Sequence, residues 1–398
     1  MRDSSHPTRS YEFARRMASQ GHEVIMVTGS SRLPEPYRDR LVSRFDVEGI
    51  HVLSARNTYS NYMNYTSRIL SFARFMIVAT WLAVTAPRPD VVFATSTPLT
   101  VAVPGYLASR LRRRPYVFEV RDPWPDAVFQ MGALSPTSVL GRMAKWLERL
   151  TYRSAEAVVA LSPGMRDFVL AEGTPAEKVT VIPNCADVDL FHPGPKDRRL
   201  EARYGLEGKI VVGYAGAIGP SNAIHVVAEA ARLLKVRGRV DISLVLVGDG
   251  KCKPQIEQIK EDEGLNNLVL IGSVPKHEMA ELLRTCDILL VHLAKVPVLY
   301  TGSPNKLFDA LATGRPVIVN SPGWTKPLVA ENDVGLFVEP EDATMLADTI
   351  ERLADDAEGR RRMGANARRL AETEFSRDTQ ADRLIELLQK VADRTGDA

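Results

Sequence analysis

The stretch TGSPNKLFDALATGRPVI, residues 301–318, is the most informative segment of this chain about its fold. It predicts a loop, a short helix that ends at Gly314, and then a buried strand. The first N–H groups of a helix are unpaired and carry the positive end of its dipole, so the junction of loop and helix is a candidate anion site. Lys306 adds a cation there, and Asp309, one turn further on, can accept hydrogen bonds from hydroxyls. Together these features indicate a nucleotide, although a capped helix with a surface lysine and aspartate is the alternative interpretation.

Length and composition describe a globular protein of two domains. The chain has 398 residues, more than one ordinary hydrophobic core accommodates. Its 45% hydrophobic and 25% charged residues are typical of soluble proteins, and its net charge of +2 argues against general binding of nucleic acid. The three cysteines and seven histidines lack the spacing of metal ligands. Such sparse cysteines indicate a reducing compartment and no disulfide framework.

No secretory signal is recognisable, because residues 1–20 are polar and charged. The longest apolar run, Phe75 to Val84, is too short to span a bilayer, and Arg68 and Arg74 interrupt its N-terminal extension. We therefore expect a cytoplasmic protein. Attachment to a membrane surface stays open, because a helix that does not span the bilayer can still lie on it.

Apolar strands alternate with helical patterns along both halves of the chain, which predicts an α/β fold with two parallel-sheet domains. The loop from Pro183 to Pro195, rich in Pro, Asn and Asp, is the expected boundary. We predict an N-terminal domain over 1–193, a C-terminal domain over 194–375, and a final helix within 376–398 that packs back toward the N-terminal domain. Ligands of such sheets bind at the carboxyl ends of the strands, so two facing domains would place the site in the cleft between them.

The start of the pattern departs from the usual order. An open α/β domain usually begins with an apolar strand and a glycine-containing loop, whereas here a helix over Thr8–Gln20 comes first and a strand over His22–Thr28 follows. We therefore expect that the first strand is missing, either because the natural protein carries an upstream strand and glycine loop or because the domain is built without them. Further strands are predicted over Ile50–Leu53, Asp90–Ala94, Tyr116–Val120, Glu156–Leu161, Val179–Ile182, Ile210–Ala215, Ile242–Val247, Leu268–Gly272, Ile288–His292 and Gly335–Val338.

Two glycine loops follow strands of the predicted C-terminal domain. The loop Gly213–Gly219 lets backbone approach a phosphate or a sugar, but its spacing is not the G-x-G-x-x-G of dinucleotide-binding enzymes. Ser221 and Asn222 can cap the helix that follows it. In Gly248-Asp-Gly-Lys251 the lysine could meet a phosphate. Tight turns with an exposed lysine are the alternative. No G-x-x-x-x-G-K-[ST] sequence is present, which argues against ATP hydrolysis of that kind.

Acids and an arginine follow the strand predicted over Tyr116–Val120. The segment Glu119-Val-Arg-Asp-Pro-Trp-Pro125 places Arg121 and Asp122 directly after the strand, and its prolines and tryptophan form a rigid, partly apolar wall. An acid here could take a proton from the hydroxyl of an acceptor. The alternative is an Arg121–Asp122 ion pair that only holds the loop.

Apolar and basic residues also coincide in the N-terminal half. The helix predicted over Asn61–Thr85 is apolar in its C-terminal part and carries Arg68 and Arg74, while Arg110 and Arg112–Arg114 form a basic cluster. Aromatic residues beside arginines suit a membrane surface with anionic lipids. A core helix and a solvated run of charges would produce the same pattern.

Several motifs, taken in order, resemble a known family. They are AEAVVALSPGM and KVTVIPNCADVDLF within 155–191, YAGAIG at 214–219, LVGDG at 246–250, CDILLVHL at 286–293 and PNKLFDALATGRPVIV at 304–319. Their order and spacing resemble the retaining glycosyltransferases of family 4, which have the GT-B architecture of two facing Rossmann-like domains with an inter-domain cleft. TRSYEFARRMASQGHEV at 8–24 and VRDPWP at 120–125 are similar to a bacterial branch that acts in surface-polysaccharide assembly and includes N-acetyl-L-fucosamine transferases.

The resemblance implies a donor site in the C-terminal domain and an acceptor site in the N-terminal one. By position, Asp309 matches the second acid of the family's Glu-(seven residues)-Glu motif, which holds the donor ribose, and Lys306 looks like a diphosphate contact. The first acid falls on Thr301, so contacts to the transferred sugar must differ here and could use the backbone of Gly302–Asn305. Arg121 falls where many relatives place a histidine beside the transferred sugar.

The implied enzyme is a glycosyltransferase of the hexosyltransferase type that moves a sugar from a nucleotide diphosphate, expected to be UDP, with retention at the anomeric carbon. The sugar could be an N-acetylated amino or deoxy sugar. No metal or other cofactor is expected, so the helix N-terminus, Lys306, Lys251 and the Gly216–Gly219 loop would neutralise the leaving diphosphate. The expected catalytic residues are Arg121, Asp122 and Lys306. The expected donor-binding residues are Gly216, Gly219, Gly248, Gly250, Lys251, Gly302, Ser303, Pro304, Asn305, Lys306 and Asp309.

The expected partners are a nucleotide-sugar donor, a lipid-linked or glycan acceptor in cell-surface polysaccharide biosynthesis, and an anionic membrane at the inner face of the plasma membrane. Nucleic acid is not expected. Two other functions stay open. The missing first strand and Thr301 favour a non-catalytic nucleotide-sugar-binding protein. A sugar-nucleotide epimerase can share the two-domain architecture.

Overall fold

The computed structural model describes residues 9–30, 33, 37–38, 40–57 and 65–396. The chain divides into two compact units, residues 1–183 with 380–398, and residues 184–379. The first division comes after Pro183, at the start of the Pro-rich loop, rather than after residue 193. The second comes within the last helix rather than before it.

The first unit alternates helices and strands in two sheets. Its elements are α1 (Arg9–Ser19), β1 (Val24–Gly29), β2 (Val42–Val47), β3 (Ile50–Ala55), α2 (Tyr65–Thr85), β4 (Val92–Thr95), α3 (Ala102–Arg112), β5 (Tyr116–Val120), α4 (Asp126–Gln130), α5 (Val139–Ser154), β6 (Ala157–Ala160), α6 (Pro163–Ala171) and β7 (Val179–Val181). One sheet has the order β1-β3-β2 and the other the order β4-β5-β6-β7. All pairs are parallel except that of β2 with β3.

The β2–β3 hairpin is a departure from the expected parallel arrangement. Its turn residues Glu48 and Gly49 both have positive φ angles, 47° and 80°, which is the backbone that closes a two-residue hairpin. The strand was not predicted, although its alternation of apolar residues with the exposed Arg44 and Asp46 is the signal of a half-buried strand. Among the described residues, α1 is the first element, and β1 and β4 do not pair with each other.

The second unit is built on one sheet of six strands. Its elements are α7 (Arg198–Tyr204), β8 (Ile210–Ala215), α8 (Ile224–Val236), β9 (Ile242–Val247), α9 (Lys253–Asp262), β10 (Leu268–Ile271), α10 (Lys276–Thr285), β11 (Ile288–Val291), α11 (Asn305–Thr313), β12 (Val317–Val319), α12 (Thr325–Glu331), β13 (Gly335–Phe337), α13 (Ala343–Asp355), α14 (Ala357–Thr373) and the start of α15 (Arg377–Gly396). The order is β10-β9-β8-β11-β12-β13, and every pair is parallel.

Apolar strands bury both faces of this sheet. All six residues of β9 and all four of β11 are buried. One core cluster contains Leu307 and Phe308 of α11, and the other contains Val227 and Leu234 of α8. A parallel sheet covered by helices on both faces requires such continuous apolar strands, which is why the sequence predicted it.

The stretch 301–318 folds as its sequence predicts. Helix α11 covers Asn305–Thr313, and Gly314 ends it in the left-handed conformation, with a φ of 69°. Strand β12 follows at Val317. Gly314 also contacts Pro193, whose Cγ would lie 2.8 Å from a Cβ at this position, so glycine is favoured by both conformation and space.

A buried ion pair anchors α1 to the sheet of β4 to β7. Arg9 donates from Nε to Glu119 Oε1 at 2.8 Å and from its terminal nitrogens to the carbonyls of Ile182 and Pro183. The second carboxylate oxygen of Glu119 accepts from Thr95. Glu119, one of the two acids of the EVRDPWP segment, is therefore fully used in holding the fold.

A second ionic cluster connects α5 with α4 and with the end of α6. Lys145 Nζ lies 2.6 Å from Asp126, 2.8 Å from Glu148 and 2.8 Å from Glu172. The side chain of Glu148 is fully inaccessible to solvent. Burial raises the pKa of Glu148 to about 7, although Lys145 opposes the shift. Burial alone would also raise the pKa of Glu172, but hydrogen bonds from Lys145 and Arg149 lower it.

Helix α2 is the most apolar helix of the first unit. In the part of the chain that is described, no helix combines the length and the hydropathy needed to cross a membrane. The first residues of the helix predicted over Asn61–Thr85 lie outside the described residues, and α2 begins at Tyr65.

We expect the free energy of unfolding to fall as Glu148 ionises. Its folded pKa of about 7 lies above the ordinary value of 4.5, so its contribution is fully present below pH 4.5 and is lost as the pH rises through 7. The loss amounts to about 3 kcal/mol. Glu148→Gln stays neutral at every pH and should remove this part of the decrease, as measured by urea unfolding at pH 4.5, 6 and 8.

The control variant is Glu172→Gln, because the pKa of Glu172 is shifted in the opposite direction. It should lower the free energy of unfolding at pH 8 and have little effect below pH 4. A Glu148→Gln protein whose stability fell with pH as steeply as that of the wild type would contradict the assignment.

Candidate functional site

The order of the six-stranded sheet reverses next to β8. Chain order runs outward from β8 through β9 to β10 on one side, and from β11 through β12 to β13 on the other. In open parallel sheets, ligands bind in the crevice that such a reversal opens at the carboxyl ends of the strands. The Gly213–Gly219 loop leaves β8 at this point, and the residues after β11 lead from it to α11. The crevice between β8 and β11 is therefore the first place to look for a site.

Lys306 lies in this crevice and is held by neutral groups. Its Nζ donates to the hydroxyl of Tyr214 at 2.8 Å and to Oδ1 of Asn222 at 2.8 Å. The ammonium also lies 4.4 Å from the centre of the Tyr214 ring. A Cβ at Gly216 would lie 3.3 Å from Nζ, so the glycine loop and the lysine adjoin each other.

Lys306 is an uncompensated cation. Within the described residues, no carboxylate lies at ion-pair distance from Nζ. Burial lowers the pKa of Lys306 from 10.5 to about 7. Such a group is poised between charged and neutral forms, and an anion bound beside it would favour the charged form. Among the described residues, Lys306 thus has no counter-ion, unlike the lysine of a structural ion pair.

The two glycine loops interlock through their backbones. Gly216 donates its N–H to the carbonyl of Val247, and Ile218 donates to Asp249, both at 2.9 Å. A Cβ at Gly248 would lie 1.9 Å from the Gly216 carbonyl oxygen, and one at Gly250 would lie 2.4 Å from that of Ile218. Glycine at 248 and 250 is thus required by the close approach of the loops.

The remaining glycine of the first loop and the lysine of the second are open to solvent or ligand. A Cβ at Gly219 would meet no atom within 4 Å. Lys251 is exposed. Both lie on the interlocked loops that include Gly216, so the structure brings the predicted glycines to the same edge of the sheet as Lys306.

The loop before α11 is fixed by its own hydrogen bonds. Ser303 Oγ accepts from the N–H of Asn184 at 3.1 Å, and its carbonyl accepts from Asn184 Nδ2 at 2.6 Å. The Gly302 carbonyl accepts from Trp324 Nε1 at 2.7 Å, and Thr301 donates to the Val298 carbonyl. These contacts occupy the Ser303 side chain and position the backbone.

The first turn of α11 carries no side-chain cap. Pro304 is the residue before the helix, and its side chain offers no acceptor to the first N–H groups. Asn305, the first residue of the helix, is exposed. The positive end of the helix dipole therefore adjoins Lys306 without a compensating oxygen from a capping side chain.

Asp309 lies one turn further along α11, among charges from other elements. Burial raises its pKa to about 6, while Lys276 and Arg377 lower it and Asp187 adds to the increase. Asp187 itself accepts from Lys276 at 3.1 Å and from Arg377 at 2.7 Å. No hydrogen bond or ion pair of the Asp309 carboxylate is formed with a described residue, which leaves its oxygens available to a ligand.

His292 is a residue of the crevice that the sequence did not single out. It is 3% exposed, and its Nδ1 lies 2.8 Å from the Asn222 carbonyl. Burial lowers its pKa to about 4, so the ring is neutral at physiological pH. His292 directly follows the strand in CDILLVHL, and Tyr214 lies near the end of the strand in YAGAIG. These positions in the sequence already indicated that both residues lie at the carboxyl edge of the sheet.

The predicted capping role of Ser221 and Asn222 is wrong. Helix α8 begins at Ile224, its preceding residue makes no side-chain cap, and a 3₁₀ turn covers Pro220–Asn222. Asn222 turns its side chain to Lys306 instead. A long-range contact with a buried cation thus replaces the local one.

Arg121 and Asp122 follow β5 in the first unit, as predicted. The N–H of Arg121 donates to Ser96 Oγ at 3.0 Å, and the carboxylate of Asp122 accepts from the hydroxyl of Thr97. Both residues are described, yet no ion pair joins them, so the alternative of a structural Arg121–Asp122 pair is not formed. The Arg121 guanidinium makes no hydrogen bond or ion pair with a described residue.

Two family models cover most of the chain. Residues 7–185 match the glycosyl transferase 4-like domain, and residues 197–370 match the glycosyl transferases group 1 domain. The alpha-D-kanosaminyltransferase of Streptomyces kanamyceticus is 29% identical over 293 residues, which are 72% of this chain and 73% of that protein. The putative colanic acid biosynthesis glycosyl transferase WcaI of Escherichia coli K12 is 24% identical over 83% of this chain and 84% of its own length.

Solved structures share the fold. A crystal structure of Anabaena Alr3699/HepE in complex with UDP has a TM-score of 0.68 at 21% identity, and it covers 93% of this chain and all of that one. Sucrose-phosphate synthase from Thermosynechococcus elongatus has a TM-score of 0.74 at 18% identity, with 96% of this chain and 92% of that chain covered. The GT-B fold class and the family resemblance found in the sequence are thereby confirmed, and the chain belongs to the GT-B glycosyltransferases that join a glycosyl transferase 4-like domain to a group 1 domain.

Proposed function

We propose that this glycosyltransferase uses a UDP-sugar as donor and binds it in the crevice between β8 and β11. The observation that carries the proposal is Lys306, a partly buried cation that, among the described residues, is held by Tyr214 and Asn222 alone beside the Gly216 loop. Structures of the related Anabaena Alr3699/HepE contain UDP and UDP-glucose, which supports uracil as the base of the donor. The diphosphate is the part of such a donor that an uncompensated ammonium and an uncapped helix N-terminus would recognise.

The chemical role of this cradle is to accept the charge of the leaving group. As the bond from the sugar to the diphosphate breaks, negative charge develops on the departing oxygen. Lys306, the first N–H groups of α11 and the Gly216 loop are preorganised for that charge, and this kind of stabilisation requires no reorganisation during the reaction. We propose transfer without a metal ion or covalent intermediate. The bond from the anomeric carbon to the diphosphate oxygen breaks, the acceptor oxygen forms its bond to that carbon on the same face, and Asp122 takes the acceptor proton, so configuration is retained.

Asp309 and the segment 301–305 would bind the rest of the donor. The Asp309 carboxylate is available for the two hydroxyls of a ribose. Thr301 takes the place of an acid and donates its hydroxyl to the Val298 carbonyl, so it does not offer the transferred sugar a carboxylate. The sugar then meets backbone groups of this segment, which suits a donor with fewer hydroxyls, such as a deoxy or N-acetylated sugar.

The proposed acceptor is a lipid-linked sugar or glycan of a surface polysaccharide at the cytoplasmic face of the membrane. The names of two relatives support this class: one acts in colanic acid biosynthesis and another, AmsK of Erwinia amylovora, in amylovoran biosynthesis. Arg121 and Asp122 are proposed to act at the acceptor hydroxyl, since both follow β5 at its carboxyl end and the Arg121 guanidinium forms no hydrogen bond or ion pair with the described residues.

The surface of α2 supports attachment to an anionic membrane. Leu70, Ile77 and Trp81 are 65%, 68% and 52% exposed and recur at helical spacing with the exposed Arg74. Arg112 donates to the Ala86 carbonyl, directly after the helix, so the basic cluster of α3 adjoins the end of this stripe. Exposed apolar side chains beside arginines are what an interfacial helix needs.

Sugar transfer should depend on the charge of Lys306. Lys306→Met keeps much of the side-chain volume but removes the charge that faces the diphosphate, so kcat/KM for release of UDP with formation of a glycoside should fall by about 10²- to 10³-fold. Product analysis by mass spectrometry after incubation with UDP-sugars and a lipid-linked acceptor measures the change.

The matched control is Lys326→Met, because Lys326 also lies over an aromatic ring, 4.0 Å from the centre of Phe337, but outside the crevice. It should retain the wild-type rate. Unchanged transfer by the Lys306 variant would refute the donor site, and an isomerised UDP-sugar without glycoside would refute transfer.

The affinity for UDP should depend on pH. Since Lys306 binds an anion only in its charged form and its pKa is about 7, the affinity for UDP should decrease between pH 7.5 and 9, by up to about tenfold per unit. Lys306→Arg stays charged and should show a nearly flat profile. Titration calorimetry gives both curves, and parallel curves would argue against a role of Lys306 in binding UDP.

The exposed side chains of α2 should determine binding to anionic vesicles. Wild-type protein should float with vesicles that contain phosphatidylglycerol, whereas Ile77→Glu/Trp81→Glu should stay in the soluble fraction, because two carboxylates are repelled and two of the three exposed apolar side chains are lost. Val236→Glu/Val240→Glu is the control, since these residues are 72% and 81% exposed in the second unit. It should float like the wild type. Flotation of the α2 variant would contradict this surface.

A further inference from the structure

A cavity lies at the amino ends of the strands of the six-stranded sheet. It has a volume of about 590 Å³. Asp287, directly before β11, and Arg315, two residues before β12, line one side, and Gly314 and residues of α14 line much of the rest. Donor residues of the proposed function lie at the carboxyl ends of the same strands. The cavity is therefore a separate place in the same unit.

Arginine is the dominant residue of the cavity wall. The arginines that line it are Arg315, Arg360, Arg361, Arg368 and Arg369. Three of them are held in place by carbonyl groups. Arg315 donates to the carbonyls of Gly194 and Arg284, and Arg360 to those of Leu353 and Ala354. Arg368 reaches three further carbonyls from one nitrogen.

The two acids of the wall are already neutralised. Asp287 lies 2.6 Å from Lys196, and Glu372 lies 2.7 Å from Arg368. The other four arginines, Arg315, Arg360, Arg361 and Arg369, form no ion pair with any carboxylate of the described residues. Burial lowers the pKa of Arg315, and its Nε is buried without a hydrogen-bond partner.

Among the described residues, the missing ion pairs of these four arginines contrast with the pairing of several other arginines of this unit. Several other arginines of the unit face carboxylates, as Arg232 does Glu229, Arg237 does Glu351, and Arg239 does Asp241. Arg362, next to the cavity residues in sequence, pairs with Asp333. Unpaired arginines that are fixed by carbonyls keep their charge and their geometry for a ligand.

We propose that this cavity binds a phosphorylated small molecule. Planar guanidinium groups match the oxygens of a phosphoryl group in pairs, and four uncompensated charges favour a ligand with at least two negative charges. The volume falls within the range of small-molecule sites, roughly 300–1,000 Å³, and exceeds what one inorganic phosphate fills. A sugar phosphate or a nucleotide has the required charge and size.

Packing separates this site from the donor crevice. Gly314, the C-terminal cap of α11, faces the cavity, whereas Lys306 lies in the first turn of the same helix, roughly 12 Å away by the rise of an α-helix. A Cβ at Gly364 of α14 would lie 2.4 Å from the Gly314 carbonyl oxygen, so the wall of the cavity packs directly against that cap. The body of α11 therefore lies between the two places.

The test measures pyrophosphate binding by titration calorimetry in the absence of the donor-site lysine. Lys306→Met should still bind inorganic pyrophosphate. Adding Arg361→Gln and Arg369→Gln to that variant should weaken binding by about tenfold or more, because two charged hydrogen-bond donors are lost. Both arginines are exposed, so the changes should leave the fold intact, which the thermal midpoint verifies.

The control adds Arg232→Gln and Arg237→Gln to Lys306→Met. This control removes two positive charges from the same unit, as the cavity changes do, but at arginines that face carboxylates. The affinity for pyrophosphate should be unchanged. Equal affinity of the Lys306→Met protein with and without the Arg361 and Arg369 changes would overturn the proposal, as would equal weakening in the control. A protein that keeps Lys306 and carries only Arg361→Gln and Arg369→Gln should still bind UDP. The proposal for the cavity and the proposal for the donor site can therefore fail independently of each other.

Discussion

The parallel pairing of β8 with both β9 and β11 is the constraint on which the second unit depends. Strand β8 lies between them in register, with Gly213 opposite Val245 on one side and Leu289 on the other. A Cβ at Gly213 would lie 2.4 Å from Sγ of Cys286, so the absence of a side chain lets the end of α10 pack against the strand. The crevice exists because chain order runs away from β8 in both directions.

Electrostatics at the two ends of this sheet follow one principle. Lys306 at the carboxyl end is held by hydroxyl and amide oxygens, and Arg315 and Arg360 at the amino end are held by carbonyl oxygens, with no ion pair to a carboxylate of the described residues. A cation that is removed from water without a counter-charge costs stability, and a bound anion recovers it. The Lys145 cluster of the first unit is the opposite case, because three acids surround one cation and the site is satisfied internally.

Much of this structure could be predicted from local sequence. Helix α11 and strands β5, β8 and β9 have the predicted bounds, because each is an apolar run closed by glycine, proline or polar residues. Strand β2 was missed although its alternation is a strand signal, because its antiparallel pairing with β3 lies outside the parallel pattern expected for the fold. The capping role of Asn222 was also wrong, since a local rule cannot foresee a cation that arrives from α11.

The sequence by itself determined the alternation of strands and helices, the glycine that ends α11, the order of the motifs and, through them, the family. These depend on neighbours within a few residues, which backbone conformation and burial select directly. Only the tertiary structure decided which residues the charged side chains contact. Lys306 meets Tyr214 and Asn222 across 92 and 84 residues, and Glu119 meets Arg9 across 110. The pKa values follow from that burial and pairing, because desolvation is a property of the packed surroundings and not of the residue type.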